Sequence, residues 1–272
     1  MFDSIILAIA QGISEFLPIS SSGHLVVLQY FLGIKEHNLS FDIAVHLGTL
    51  ASVLTIYRKN ITEIFVNTIE AAKKRQVNAS ARLVGLVLVA SVPAAVLGIG
   101  FKSFFAGLFE SINAVIVGFV ITGFFLMLTA IRGRGQMGSH FVENIEKANK
   151  ITFWQAIVVG CAQAVAIAPG ISRAGMTISS GIIIGLDRST AAFFSFMMAI
   201  PVIAGAGLLE ARNLVAMSAA EMQVFAVGIL TAYIFGIIGL KLVLTFVRQG
   251  RLHFFALYVW ALALFLYFKA TI

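Results

Sequence analysis

Two short polar stretches interrupt otherwise apolar runs of this chain. The first, Glu15 to His24, reads Glu-Phe-Leu-Pro-Ile-Ser-Ser-Ser-Gly-His, and the second, Pro169 to Thr177, reads Pro-Gly-Ile-Ser-Arg-Ala-Gly-Met-Thr. Their residue types suit phosphate chemistry. Arg173 stays charged, and its planar fork matches phosphate oxygens two at a time. Ser20, Ser21 and Ser22 lead into helix-compatible sequence, so one of them is expected to cap a helix. The helix that follows offers unpaired N–H groups and a positive dipole end, which together attract an anion. Glu15 precedes the turn and His24 opens the arm after it, so a fold-back can bring them together. Gln11 sits one helical turn before Glu15, and Ser172 and Thr177 flank Arg173.

Each residue also has a purely structural reading. Ser20 and Ser22, next to Pro and Gly, can be caps only. His24 can bond a backbone carbonyl. Glu15 and Arg173 can be a structural ion pair, and Gln11 can be a polar contact between helices. His46, inside the apolar run Ile43 to Leu54, is expected to be a packing residue, and Asp42 an interface residue. Cys161 is the single cysteine; it forbids an intrachain disulfide and is expected to be a small buried residue.

The elements that position these residues follow from composition. Sixty per cent of the chain is hydrophobic and 11% is charged, which describes an all-α integral membrane protein. The net charge of +7 does not point to nucleic acid, because the basic residues fall in a few loops between apolar runs. Six runs approach the length of about 20 residues that a helical crossing requires: Phe41–Tyr57, Leu83–Phe101, Ile112–Ile131, Thr190–Leu209, Val224–Phe246 and Leu252–Phe268. Residues 1–33 and 151–187 are each cut mid-way by Pro, Gly and Ser, so neither arm can span.

Basic loops choose the topology. Arg58, Lys59, Lys73, Lys74, Arg75 and Arg82 follow the first span; Arg132, Arg134, Lys147 and Lys150 lie in the central loop; Arg248 and Arg251 precede the last span. The opposite loops hold only Lys35, Lys102 and Arg212. If both broken regions return to their own side, all three basic loops face inward. The expectation is therefore six transmembrane helices and two re-entrant helix-turn-helix hairpins in one membrane domain, residues 1–272. Residues 1–131 (hairpin 1–33) form the first inverted repeat and residues 151–272 (hairpin 151–187) the second. Setting Gly23 against Gly175 also aligns Ser20 with Ser172 and Gln11 with Gln163. Inverted repeats bind ligand where broken helices meet near the midplane. Ile61, Ile64, Phe65 and Ile69 recur at helical spacing before Lys73-Lys74-Arg75, which predicts an interfacial helix on anionic lipid.

The two blocks resemble the bacitracin-resistance family of undecaprenyl pyrophosphate phosphatases. That family pairs an acidic-or-Gln, three residues, Glu motif and a Ser-rich turn with a Pro-Gly-x-Ser-Arg-Ser-x-x-Thr motif. Here these read Gln11 to Glu15 with Pro18, Ser20, Ser21, Ser22, Gly23 and His24, and Pro169 to Thr177 with Ala174 in place of the serine. The resemblance spans the chain. It implies a hydrolase that converts undecaprenyl diphosphate to the monophosphate, recycling the cell-wall lipid carrier and conferring bacitracin resistance. It also implies a divalent cation, Mg²⁺ or Ca²⁺, with Glu15 as a metal ligand, and a multi-pass cell-membrane protein with its site open to the outer face. Gln11 in place of a carboxylate puts metal binding there in question.

On this reading Glu15, Ser21, His24 and Arg173 are catalytic, and Gln11, Ser20, Ser22, Ser172 and Thr177 bind substrate. The nucleophile can be Ser21 activated by His24 or Glu15, His24 itself, or water. A transporter or flippase for an anionic lipid or solute is the competing class, and a homodimer is an open expectation.

Overall fold

In the computed structural model, residues 1–34, 39–132, 144–215 and 218–271 are described. Lys35 and Arg134 lie outside them, as do the side chains of Arg132 and Arg212. The described residues form helices and no strand: α1 (Phe2–Ser14), α2 (Ser21–Leu32), α3 (Leu39–Ile56), α4 (Arg58–Lys73), α5 (Ala79–Gly100), α6 (Lys102–Phe109), α7 (Ile112–Arg132), α8 (Asn144–Ala148), α9 (Phe153–Val165), α10 (Arg173–Ile183), α11 (Arg188–Val215), α12 (Ala219–Gln249) and α13 (Phe254–Thr271).

Among the described residues, four helical stretches are long and apolar enough to cross a membrane: Ala79–Gly100, Ile112–Ile131, Arg188–Leu209 and Glu221–Gln249. They coincide with four of the six expected spans. The run Phe41–Tyr57 becomes α3, which bends by 78° into α4. The run Leu252–Phe268 becomes α13, apolar but short; at 1.5 Å per residue its 18 residues reach only about 27 Å. Helix α4 forms where the spacing predicts it, but its apolar residues do not share one environment. Ile64 is buried and Ile61 packs on the core, whereas Phe65 and Ile69 are exposed.

Both broken regions fold as two helical arms around a turn. In the first, α1 stops at Ser14 and α2 starts after Ser20, with Pro18 between them. In the second, α9 and α10 flank the Ile167 to Ser172 turn. Helix α1 runs along α12, and α9 runs along α5. Small residues permit the close approach: a Cβ on Gly12 would lie 2.9 Å from the Ala232 carbonyl oxygen, and one on Gly160 2.4 Å from that of Ala90. Helices α3 and α11 pack together, as do α7 and α13. Cys161, against expectation, is exposed on the molecular surface. Asp42 is buried rather than interfacial, within hydrogen-bond reach of Gln29.

Candidate active site

The two turns touch. A Cβ on Gly23 would sit 2.8 Å from the Gly170 Cα, and one on Gly175 would sit 3.4 Å from the Pro18 Cβ. Side chains at Gly23 and Gly170 would push the halves apart. Gly170 also has φ +82° and lies against the backbone of Val115 and Gly118. Each second arm starts the same way. Ser20 caps α2 by accepting the Gly23 N–H (3.2 Å), and Ser172 caps α10 by accepting the Gly175 N–H (3.0 Å). The serine–glycine register noticed in the sequence is thus the same capping geometry used twice. As in any helix, the first N–H groups after each cap lack intrahelical partners.

Glu15 lies where these ends converge. Its Oε1 accepts from Arg173 Nη2 at 2.6 Å. Its Oε2 accepts from Ser21 Oγ at 2.5 Å and from Gln11 Nε2 at 3.0 Å. The side chains of Glu15 and Arg173 are only 6% and 14% exposed. Such a pair survives burial because each charge is offset and further hydrogen-bonded. Arg173 also reaches the Ser195 carbonyl at 3.4 Å.

His24 stands apart from this cluster. Its Nδ1 is 2.7 Å from the Ser20 carbonyl oxygen, and its Nε2 is 2.8 Å from Tyr258 Oη. The fold-back therefore brings Glu15 to Ser21, while both ring nitrogens of His24 are committed elsewhere. Ser20, which holds that carbonyl in place, has φ +67°, a backbone state costly for a residue with a side chain. Ser22 Oγ lies 3.2 Å from Ser20 Oγ. Thr177 Oγ1 bonds the Arg173 carbonyl (2.7 Å) and Ser195 Oγ (2.6 Å), so it faces its own helix and α11.

Sequence reasoning missed three contributors. His46, assigned to packing, places Nε2 3.4 Å from Glu15 Oε2, with Nδ1 on the Asp42 carbonyl. Thr122 of α7 donates to the Gly170 carbonyl (3.0 Å) and accepts the Ser172 N–H (2.9 Å), clamping the second turn just before Arg173. Tyr258 of α13 holds His24. A polar residue one helical turn from another in an apolar run, such as Asp42 and His46, was the only signal available; Thr122 and Tyr258 carried none.

The donor set can be tested against a divalent cation. Among the described residues, no three His, Cys, Asp or Glu side chains gather as a metal cage. Glu15 is one carboxylate already facing a guanidinium, but Gln11 Oε1 is buried with no hydrogen-bond partner. This fits a hard cation that takes most of its oxygens from substrate phosphates, as Mg²⁺ commonly does.

The comparisons with known proteins identify the family. The family model described as Bacitracin resistance protein BacA matches residues 4–265. The chain belongs to this family. It is 42% identical over 265 residues to the undecaprenyl-diphosphatase of Carboxydothermus hydrogenoformans, covering 96% of this chain and 94% of the relative. It is 40% identical over 276 residues to the undecaprenyl-diphosphatase of Desulforapulum autotrophicum, covering 97% and 96%. It is 37% identical over 270 residues to that of Rubrobacter xylanophilus, again covering 97% and 96%. With its long apolar helices, this BacA-family chain is a multi-pass membrane protein.

Proposed function

We propose that this protein is an undecaprenyl-diphosphate phosphatase: it removes the terminal phosphate of undecaprenyl diphosphate, returns the monophosphate carrier to cell-wall synthesis and confers bacitracin resistance. The observation that carries the mechanism is the 2.5 Å contact of Ser21 Oγ with Glu15 Oε2, beside the Arg173 guanidinium. A nucleophile, a base and a phosphate clamp at one point are what phosphoryl transfer needs. They are more than a transporter needs.

Ser21 Oγ attacks the terminal phosphorus, and its proton passes to Glu15 Oε2. The P–O anhydride bond opposite the incoming oxygen breaks, and undecaprenyl phosphate leaves. Water then attacks the phosphoserine, giving one proton to His24 Nε2; the Oγ–P bond breaks, Oγ recovers its proton from Glu15, inorganic phosphate departs and the imidazole returns its proton to solvent. Arg173 and the N–H groups at the starts of α2 and α10 that the caps leave free stabilise the equatorial oxygens. When bound, a Mg²⁺ or Ca²⁺ ion on Glu15 and the Gln11 carbonyl adds charge neutralisation to the diphosphate. Ser20 and Ser172 serve this site as caps, Ser22 lines its approach, and Thr177 braces the first turn of α10 behind Arg173.

The site works within an inverted repeat of residues 1–131 and 151–272. Packing supports this: exchanging the halves turns the α1–α12 pair into α9–α5 and the Gly23–Gly170 contact into Gly175–Pro18. On this reading the chain makes six spans and two re-entrant hairpins, with both termini and the site opening on the outer face of the plasma membrane. Contacts among the basic loops support that orientation. Arg82 bonds the carbonyls of Asn149 and Ile151, and Arg188 lies against Gly250. The open ends of the second hairpin meet there too, Gln155 Nε2 donating to the Ile184 carbonyl at 3.2 Å. The exposed Phe65 and Ile69 of α4 then lie in anionic lipid.

The test is phosphate release from a polyprenyl diphosphate by purified protein in detergent, where no compartments exist and transport is invisible. Hydrolysis with a labelled phosphoserine on Ser21 is expected. Absence of release, or label on histidine, overturns the reading.

A further inference from the structure

Tyr258 is 234 residues from His24 in sequence, yet the two side chains form one unit. Their rings stack with centroids 5.7 Å apart and planes 10° apart, while Phe119 meets the imidazole edge-on at 5.4 Å. A tyrosine placed merely as a membrane-interface anchor needs none of this. The imidazole is fixed on three sides by different elements: the Ser20 carbonyl at the first turn, Phe119 of α7 and Tyr258 of α13.

The partners determine the tautomer. A carbonyl oxygen can only accept, so Nδ1 carries the hydrogen. In the neutral ring Nε2 is then a bare lone pair, and the phenol O–H fills it at 2.8 Å. When Nε2 gains a proton, the same phenol oxygen can accept it. Few side chains serve both states; a hydroxyl does, whereas lysine can only donate and a carboxylate can only accept. Nδ1 is closed to substrate by the strained Ser20, so His24 can exchange a proton only at Nε2, where Tyr258 stands.

We propose that Tyr258 is the positioning residue of His24: its phenol locks the imidazole in the Nδ1–H form and makes Nε2 its working nitrogen in the phosphatase reaction. The proposal rests on the hydrolase reading for its kinetic consequence but not for its structural one. Tyr258 is half exposed, so the pair lies at the molecular surface between α2, α7 and α13. That leaves Nε2 reachable once the phenol yields or relays its hydrogen.

Two measurements test it. The first is a double-mutant cycle of Tyr258→Phe and His24→Ala, read as phosphate release in detergent. Loss of one hydrogen bond at a working group lowers kcat by about tenfold. KM stays within about twofold, because the ring still packs. In the His24→Ala background Tyr258→Phe costs nothing further, since its only route to the reaction is gone. An equal loss in both backgrounds, or full kcat in Tyr258→Phe, overturns the proposal. The second is nitrogen NMR of protein carrying ¹⁵N-histidine, with His24 assigned by its absence in His24→Ala. A protonated Nδ1 and bare Nε2 are expected, the Nε2 signal moving in Tyr258→Phe. A protonated Nε2 in the neutral ring, or an unmoved signal, overturns it even if the wild type hydrolyses nothing; absent hydrolysis with the expected spectrum counts only against the phosphatase reading.

Discussion

Replacing Glu15 by Gln separates chemistry from architecture at this site. The carboxylate accepts from Arg173 on one oxygen and from Ser21 and Gln11 on the other. In the amide, the remaining oxygen must face Arg173, because an NH₂ there would oppose the guanidinium. The new NH₂ then turns to Ser21 Oγ, which can accept, and to Gln11 Nε2, which cannot. Gln11 can flip and offer its buried, unpartnered Oε1 instead. The hydrogen-bond pattern therefore survives, and the structural cost is the loss of charge compensation for Arg173, about 1–3 kcal/mol rather than the 3–5 of an emptied buried pair. What does not survive is proton acceptance from Ser21. Removing a general base costs about 10²- to 10⁴-fold, or roughly 3–5 kcal/mol of barrier. The assay is steady-state phosphate release in detergent alongside a thermal melt. Expected is a folded protein whose kcat drops by at least about a hundredfold. A folded Glu15→Gln protein with kcat within about threefold of wild type would refute Glu15 as the base.

Two further substitutions probe the scaffold. Thr122→Val keeps volume but leaves the buried Gly170 carbonyl and Ser172 N–H unpaired; a loss of about 2–5 kcal/mol is expected in thermal unfolding, with kcat falling as Arg173 loses its anchor and Thr122→Ser restoring both. Gly170→Ala must adopt φ +82° with its Cβ 2.2 Å from the Val115 carbonyl oxygen; it should lose more than about 3 kcal/mol, or fail to give monodisperse protein on size exclusion.

The parts of this molecule legible in its sequence were those where polarity conflicts with surroundings. Glu15, the serines and Arg173 stand in apolar runs, so their burial needed a partner, and each break held the charge that the other lacked. Proline and glycine marked both turns. Four spans were plain from length and apolarity. The bend after Ile56 was not, because Tyr57 and Arg58 carry no helix breaker. Thr122 and Tyr258 were invisible for another reason: threonine and tyrosine are ordinary in apolar helices, and only the tertiary fold brings them to Gly170 and His24. His46 was misread because a histidine beside aliphatic residues usually packs. The expected Glu15–His24 pairing yielded to Ser20, whose strained carbonyl captures the imidazole first.

The Glu15–Arg173 pair also has a history in time. The acid is made first, and its guanidinium partner follows 158 positions later. Throughout that interval the leading hairpin carries a carboxylate whose guanidinium has not been made, with only the His46 imidazole near it, at a depth where such a group is costly. Translation of the second half is what neutralises it. A polypeptide halted midway therefore holds this acid within the bilayer without the guanidinium that compensates its charge.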